Sequence, residues 1–237
     1  RAAGQVVLRG PRVHATFDAG PFGFGTLAAH AHCDALALHV ALDDRPLLVE
    51  RGTYRYNGDR AARDRFRATA AHNTLQIGAR EQGDIAGPFL WSRQPVVTLE
   101  HCALTAARDV VRASHDGFAP ARHVRTVVRL GDTLAVIDEV RDPPAGEPIV
   151  ARWHLAPGLA PAIEGDATRV AGVALWFATD DARPLTPRAI TTAHSARYLA
   201  REPACTLEVT LPDPRRRLVT VIGGDTRDLP AVLGSLP

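Results

Sequence analysis

Apolar and polar residues alternate in short runs through most of the chain, with turn residues between the runs. Residues 5–17 (QVVLRGPRVHATF) read as two short strands broken at Gly10-Pro11, and residues 18–25 (DAGPFGFG) as a glycine-rich turn. Residues 36–40 are strand-like, Asp43-Asp44-Arg45-Pro46 makes a turn, and 46–50 (PLLVE) returns as a short apolar strand ending on the carboxylate of Glu50. β-type composition recurs at 72–77, 96–104, 110–113, 123–130, 133–140, 150–155, 170–177, 205–211 and 218–222. The clearest hairpin is 125–140 (RTVVRLGDTLAVIDEV), with Gly131-Asp132 as its turn. Only 58–71, charged residues set among alanines, suggests a short helix or an ordered excursion. Strands spaced this closely, without an amphipathic helix of three turns or more, predict an all-β fold: an antiparallel β-sandwich rather than a βαβ array. A chain of 237 residues fits one large domain of this kind, 1–237, with a softer boundary at the rigid connector 142–146 (DPPAG).

Residues 29–34, Ala-His-Ala-His-Cys-Asp, depart from the half-buried strand pattern. In an extended strand His30, His32 and Asp34 share one face, and Ala31 and Cys33 the other. Imidazoles at that spacing suit a divalent metal or acid/base work, although an isolated H-x-H pair is equally consistent with a solvated face. A return strand at 46–50 would bring Glu50 near these histidines.

Composition narrows the picture. Hydrophobic content of 46% and charged content of 23% are those of a folded globular protein, and no run approaches the roughly 20 apolar residues needed to span a bilayer. The formal charge of +2 is near neutral, yet all 28 basic residues are arginine. Arginine pairs bidentately with carboxylate, sulfate or phosphate, although a GC-rich genome gives the same enrichment. Methionine is absent and the chain opens Arg-Ala-Ala-Gly, so it is expected to be an excised or processed portion, with any signal peptide out of view. Cys33, Cys102 and Cys205 lack C-x-x-C spacing, which leaves either one bridge with a free thiol or three buried thiols.

Three ordered blocks resemble the C-terminal, heparinase II/III-like domain of bacterial polysaccharide lyases. They are Gly25 with His30-Ala31-His32-Cys33-Asp34, then Pro46-Leu47-Leu48-Val49-Glu50-Arg51-Gly52-Thr53-Tyr54-Arg55-Tyr56, then Ala71-His72-Asn73-Thr74-Leu75. Weaker similarity continues through His123-Val124-Arg125, Val136-Ile137-Asp138 and Arg152-Trp153-His154-Leu155, and fades after about Gly158. The resemblance implies a β-sandwich of the supersandwich type that follows an N-terminal (α/α) toroid, with the polysaccharide in the cleft between them. The toroid has no counterpart in this chain, so the chain is expected to hold only part of an active site. The resemblance also implies a periplasmic or secreted protein.

The implied reaction is β-elimination on a uronate-containing anionic polysaccharide, of glycosaminoglycan or alginate type. By resemblance His30 takes the acid/base or charge-stabilising position; otherwise it is a hydrogen-bonded strand histidine. His32, Glu50 and His72 match the family's metal ligands, implying a structural zinc ion (Zn2+). The usual residue at the carboxylate position is aspartate followed by proline, whereas this chain has Glu50-Arg51; without metal the three form a buried hydrogen-bonded cluster. Asp34 and Asn73 are expected behind the ligands, as a partner and a loop-fixing residue. Tyr54, Tyr56, Arg55 and Arg67, within a basic and aromatic stretch that also holds Arg63 and Arg65, are expected to line a sugar subsite. His154 reads as a satisfied core histidine, and Trp91, Trp153 and Trp176 as core. The expected partners are an acidic polysaccharide and the toroid of the same protein, with a homodimer admitted and neither nucleic acid nor membrane involved. The alternative is a non-catalytic carbohydrate-binding or scaffolding module.

Overall fold

The computed structural model describes residues 4–223. Gln5–Arg9, Val13–Asp18, Leu38–Leu42 and Arg45–Leu48 form one four-stranded antiparallel sheet in chain order. A second four-stranded sheet runs Arg188–His194, Glu202–Leu211, Ile149–His154 and Leu75–Ile77 in space. Both pack on an eight-stranded sheet ordered Pro161–Glu164, Ala167–Val170, Val173–Thr179, Leu218–Ile222, Thr133–Arg141, Ala121–Leu130, Arg108–Phe118 and Val97–Leu104. Every ladder is antiparallel, and the expected sandwich is the observed fold.

Period-two alternation decides which residues meet. Leu8, Phe17, Leu38 and Leu48 from the first sheet, Leu75, Trp153 and Leu207 from the second, and Val111, Val127, Val136, Phe177 and Leu218 from the large sheet form one core cluster. Each such side chain, fully buried, contributes roughly 1.5–3 kcal/mol. Strands on both sides of the connector 142–146 feed this cluster. Val128, Ala135, Ile137, Val219 and Val221, one position out of phase, make a second cluster on the other face of the large sheet.

The hairpin at 125–140 forms with Leu130 opposite Thr133, and Gly131 takes φ 55°, which its lack of Cβ allows. Helix Arg60–Arg67 is capped by the Asp59 carboxylate, which accepts the Ala62 amide at 2.9 Å, and a 3-10 turn Thr69–Ala71 follows. Three pairs or strands were not legible in the sequence: Asp84–Gly87 with Leu90–Arg93, Pro161–Glu164 with Ala167–Val170, and Arg188–His194. Cys33, Cys102 and Cys205 are all free thiols and only Cys33 is fully buried, so neither expectation for them holds. Among the described residues no helix is long and apolar enough to cross a membrane.

The two small sheets join where Leu48 bridges Leu155, with the Val49 amide on the His154 carbonyl at 2.9 Å and the Ala156 amide on the Leu47 carbonyl at 3.0 Å. Behind this seam lies a buried charged group. Arg125 donates to Asp138 through Nε at 2.7 Å and Nη2 at 3.0 Å, and its Nη1 reaches the carbonyls of Leu36 at 2.7 Å and Asn73 at 2.6 Å. One guanidinium thereby ties the large sheet to the segments that follow His32 and His72.

Candidate active site

The segment holding His30, His32 and Asp34 is not a strand. Ala28 and Leu36 sit at positive φ (44° and 62°), and the backbone bonds locally or to other elements instead of to a ladder. Ala31 donates to Ala28 at 2.9 Å, Cys33 to Arg67 at 2.8 Å, Leu36 to Asp18 at 3.0 Å and Ala37 to Asp34 at 2.9 Å. The Ala35 amide donates to Gln82 Oε1 at 2.9 Å. Cys33 and Ala31 pack with Phe22, Ala28 and Trp91, and His30, Ala31, His32 and Asp34 line a cavity of about 620 Å³ with Asp18 and the rim residues Phe24 and Leu27, so only Cys33 turns wholly away from it. Strand formation also stops short elsewhere. The return strand ends at Leu48, two residues before Glu50, and the strand after His72 begins only at Leu75, leaving both side chains on irregular backbone at the seam.

His32, Glu50 and His72 come together there. The His32 and His72 ring centroids are 5.2 Å apart, and a Glu50 oxygen contacts His72 Nδ1, while its other oxygen accepts the Asn73 amide at 3.0 Å. Burial lowers His32 to about 3, helped by His72 and opposed by Glu50. Burial acts against both charges of the Glu50–His72 pair, but their mutual attraction prevails: the carboxyl is lowered and the imidazole raised. Burial lifts Asp34 to about 7, with Asp18 and Glu50 adding to the rise against the pull of His72. His72 Nε2 is buried without a hydrogen-bond partner.

Those donors suit zinc chemically: two imidazoles, one of them held neutral, one carboxylate and an orphaned ring nitrogen. Glu50 already occupies His72 Nδ1, so Nε2 is the nitrogen left for a metal. Among the described residues no three His, Cys, Asp or Glu side chains are already arranged to hold an ion.

Asn73 is fully buried and fixes the seam. Its Nδ2 donates to Leu38 and Val49 carbonyls at 2.9 and 3.1 Å, and its Oδ1 accepts the His154 amide at 2.6 Å. His154 departs from the expectation of a satisfied core residue. Its Nδ1 pairs with Thr206 Oγ1 at 2.7 Å, but Nε2 has no partner, and the ring feels Glu50 and His72. Burial lowers it to about 3. No spacing rule marks it, because its neighbours arrive from 81 and 104 residues upstream (154 − 73 and 154 − 50).

The family model described as heparinase II/III-like, C-terminal, matches residues 1–227. The chain belongs to that family. The heparinase II/III-like fold is similar to that of a heparinase III gene product with methylated lysines, at 16% identity and TM-score 0.74, covering 93% of this chain and 34% of that one. It is similar also to the heparan sulfate lyase HepC from Pedobacter heparinus, at 17% identity and TM-score 0.74, covering 93% and 35%. A crystal structure of heparinase III matches at 17% identity and TM-score 0.72, covering 95% and 36%. The likeness at these identities is one of fold, and the chain spans about a third of the length of these proteins. No curated protein matches the sequence.

In this heparinase II/III-like domain the expected sugar-binding residues divide. Tyr56 lies beside His30, ring centroids 5.4 Å apart, and Tyr54 packs on Phe66 with Arg55 over its ring at 5.6 Å. Arg67 does not face a ligand: it is 0% exposed, its guanidinium held by Asp64 and the Gly87 and Pro88 carbonyls and lying over Trp91. Amphipathic helix geometry turns this last-turn arginine inward, where it clamps the Asp84–Gly87 hairpin. Phe89 and Tyr198, absent from the sequence-based set, join the aromatic group around Tyr56.

Proposed function

We propose that this domain is the β-sandwich part of a lyase that cleaves a uronate-containing anionic polysaccharide by β-elimination. The observation that carries the reading is the position of His30: exposed, in the wall of the cavity, edge-on to Tyr56 and Phe89, and two residues from His32 in the partly buried His32–Glu50–His72 cluster. Elimination removes the proton on C5, next to the carboxylate; its electron pair becomes the C4–C5 double bond as the C4–O bond breaks, and the departing oxygen takes a proton. The C5 proton is too weakly acidic without charge stabilisation at the developing enediolate, and an imidazole serves either to accept the proton or to hold that charge.

His32, Glu50 and His72 would hold a structural zinc, which when bound supplies a rigid cross-link between the three segments. The chain's own residues do the rest. Asn73 and Arg125 hold the backbone on either side of the ligands, and Asp34 stands in the cavity wall as their neighbour. Tyr56 and Tyr54 present sugar-stacking faces, and Arg55 a cation. The solved relatives include a heparan sulfate lyase and heparinase III, which favours a glycosaminoglycan over alginate as the substrate. The remainder of the active site would come from an N-terminal toroid of the same protein. Incubating the full-length protein with acidic polysaccharides tests this: unsaturated, ultraviolet-absorbing uronate ends are expected. Polymer binding without such ends would instead identify a carbohydrate-binding module.

A further inference from the structure

The loop 195–201, between the Arg188–His194 and Glu202–Leu211 strands, lies beyond the resemblance blocks, yet it is docked on the 51–56 segment. Gly52 bridges Ser195, whose amide donates to the Arg51 carbonyl at 2.8 Å, and the Leu199 amide donates to the Tyr54 carbonyl at 2.7 Å. The Ser195 hydroxyl donates to the Arg197 carbonyl at 3.0 Å, tightening the loop on itself. A Cβ on Gly52, at φ 81°, would stand 2.1 Å from the Ser195 oxygen, so the two backbones meet only because that position is glycine.

Docking brings Tyr198 to Tyr56. Phe89, Tyr56 and Tyr198 are near-parallel in series, with centroids 6.0 and 5.9 Å apart and interplanar angles of 26° and 22°. Centroids that far apart mean offset rings, a continuous aromatic strip starting beside His30 and ending on Tyr198, which is 57% exposed. Cations flank the strip. Arg63, 2% exposed, lies over Tyr56 and Phe89 at 4.9 and 4.7 Å, and its Nη2 is buried without a hydrogen-bond partner. Arg201 lies over Tyr54 at 4.6 Å. Neighbouring Arg55, Arg60 and Arg67 have carboxylate partners, whereas among the described residues Arg63, Arg197 and Arg201 form no ion pair. Aromatic faces with unneutralised arginines beside them fit an anionic sugar: the ring's C–H face covers an aromatic ring, and a guanidinium takes a carboxylate or sulfate bidentately.

We propose that the 195–201 loop, with Tyr56 and Phe89 and with the buried Arg63 holding those two rings, forms a second subsite. It binds the next anionic sugar residue of a chain whose cleavage point is at His30, with that residue's ring on Tyr198 and its acidic group on Arg197 and Arg201. The inference rests on the reading of His30 as the residue at the cleavage point. It is tested by calorimetric titration of the full-length protein, in a His30→Ala background that suppresses turnover, with a heparan sulfate hexasaccharide. Tyr198→Ala and the double variant Arg197→Gln/Arg201→Gln are each expected to weaken binding about tenfold, and Tyr198→Phe to leave it within twofold. All of these side chains are on the surface, so folding is not at risk, and thermal melting checks it. An unchanged Kd in Tyr198→Ala and in the double arginine variant would overturn the subsite. Weakened binding in a protein whose parent form produces no unsaturated uronate would keep the subsite and reject the lyase, so the two readings fail separately.

Discussion

At the scale of single residues, charge burial has consequences that can be measured. Burial alone would raise Asp138, but Arg125 and then His123 bring it down to about 2. A carboxyl below its ordinary value of about 3.9 stabilises the fold fully above that value and loses the contribution as pH falls towards about 2. The loss is on the order of 2 kcal/mol. Denaturant unfolding between pH 5 and 2 should show it, and Asp138→Asn, less stable throughout, should lack that part of the slope; parallel curves would contradict the assignment. The cluster at the seam makes a second prediction. Purified protein is expected to carry about one zinc per chain, and chelation to lower the melting temperature, with Glu50→Gln abolishing both effects; metal-free protein indifferent to chelator and to added zinc would rule the ion out. Much of this cluster was legible, since His32, Glu50 and His72 stand in motif blocks. Arg67 and His154 were not, because whether an arginine faces inward, or a strand histidine meets an orphaning neighbour, depends on packing between distant segments.

Among the elements, strands with alternating or continuous apolar runs were readable to within a few residues, as Leu218–Ile222 and the 125–140 hairpin illustrate. The extended reading of 29–34 failed for a physical reason: two residues at positive φ and hydrogen bonds to Arg67, Asp18 and Gln82 replace a ladder. Pairs such as Asp84–Gly87 with Leu90–Arg93 have four residues to a strand, too few for a pattern to be detected. The junction of 195–201 with 51–56 gives the prediction at this scale. Gly52→Ala sets a Cβ against the Ser195 carbonyl at a backbone angle unfavourable to L residues, and should cost about 1–3 kcal/mol. Chemical denaturation measures this, and a variant as stable as the parent would show that the two segments are not tightly docked.

For the molecule as a whole, a sandwich of two small sheets on one large sheet brings three segments of irregular backbone to a single seam, and a buried arginine holds two of them from behind. The sandwich class followed from strand spacing; the side-by-side joining of the two small sheets at Leu48 and Leu155 did not, because the partners of a bridge 107 residues apart (155 − 48) leave no local signal. The domain covers about a third of the length of its solved relatives, so its proposed chemistry belongs to the longer protein. The most direct test is the initial rate of unsaturated-uronate formation by the full-length protein on heparan sulfate, compared with its His30→Ala variant at matched substrate occupancy. Product is expected from the parent protein and a rate at least about a hundredfold lower from the variant, with binding retained. An equal rate in both, or no product from the parent on any uronate polymer, would contradict this expectation.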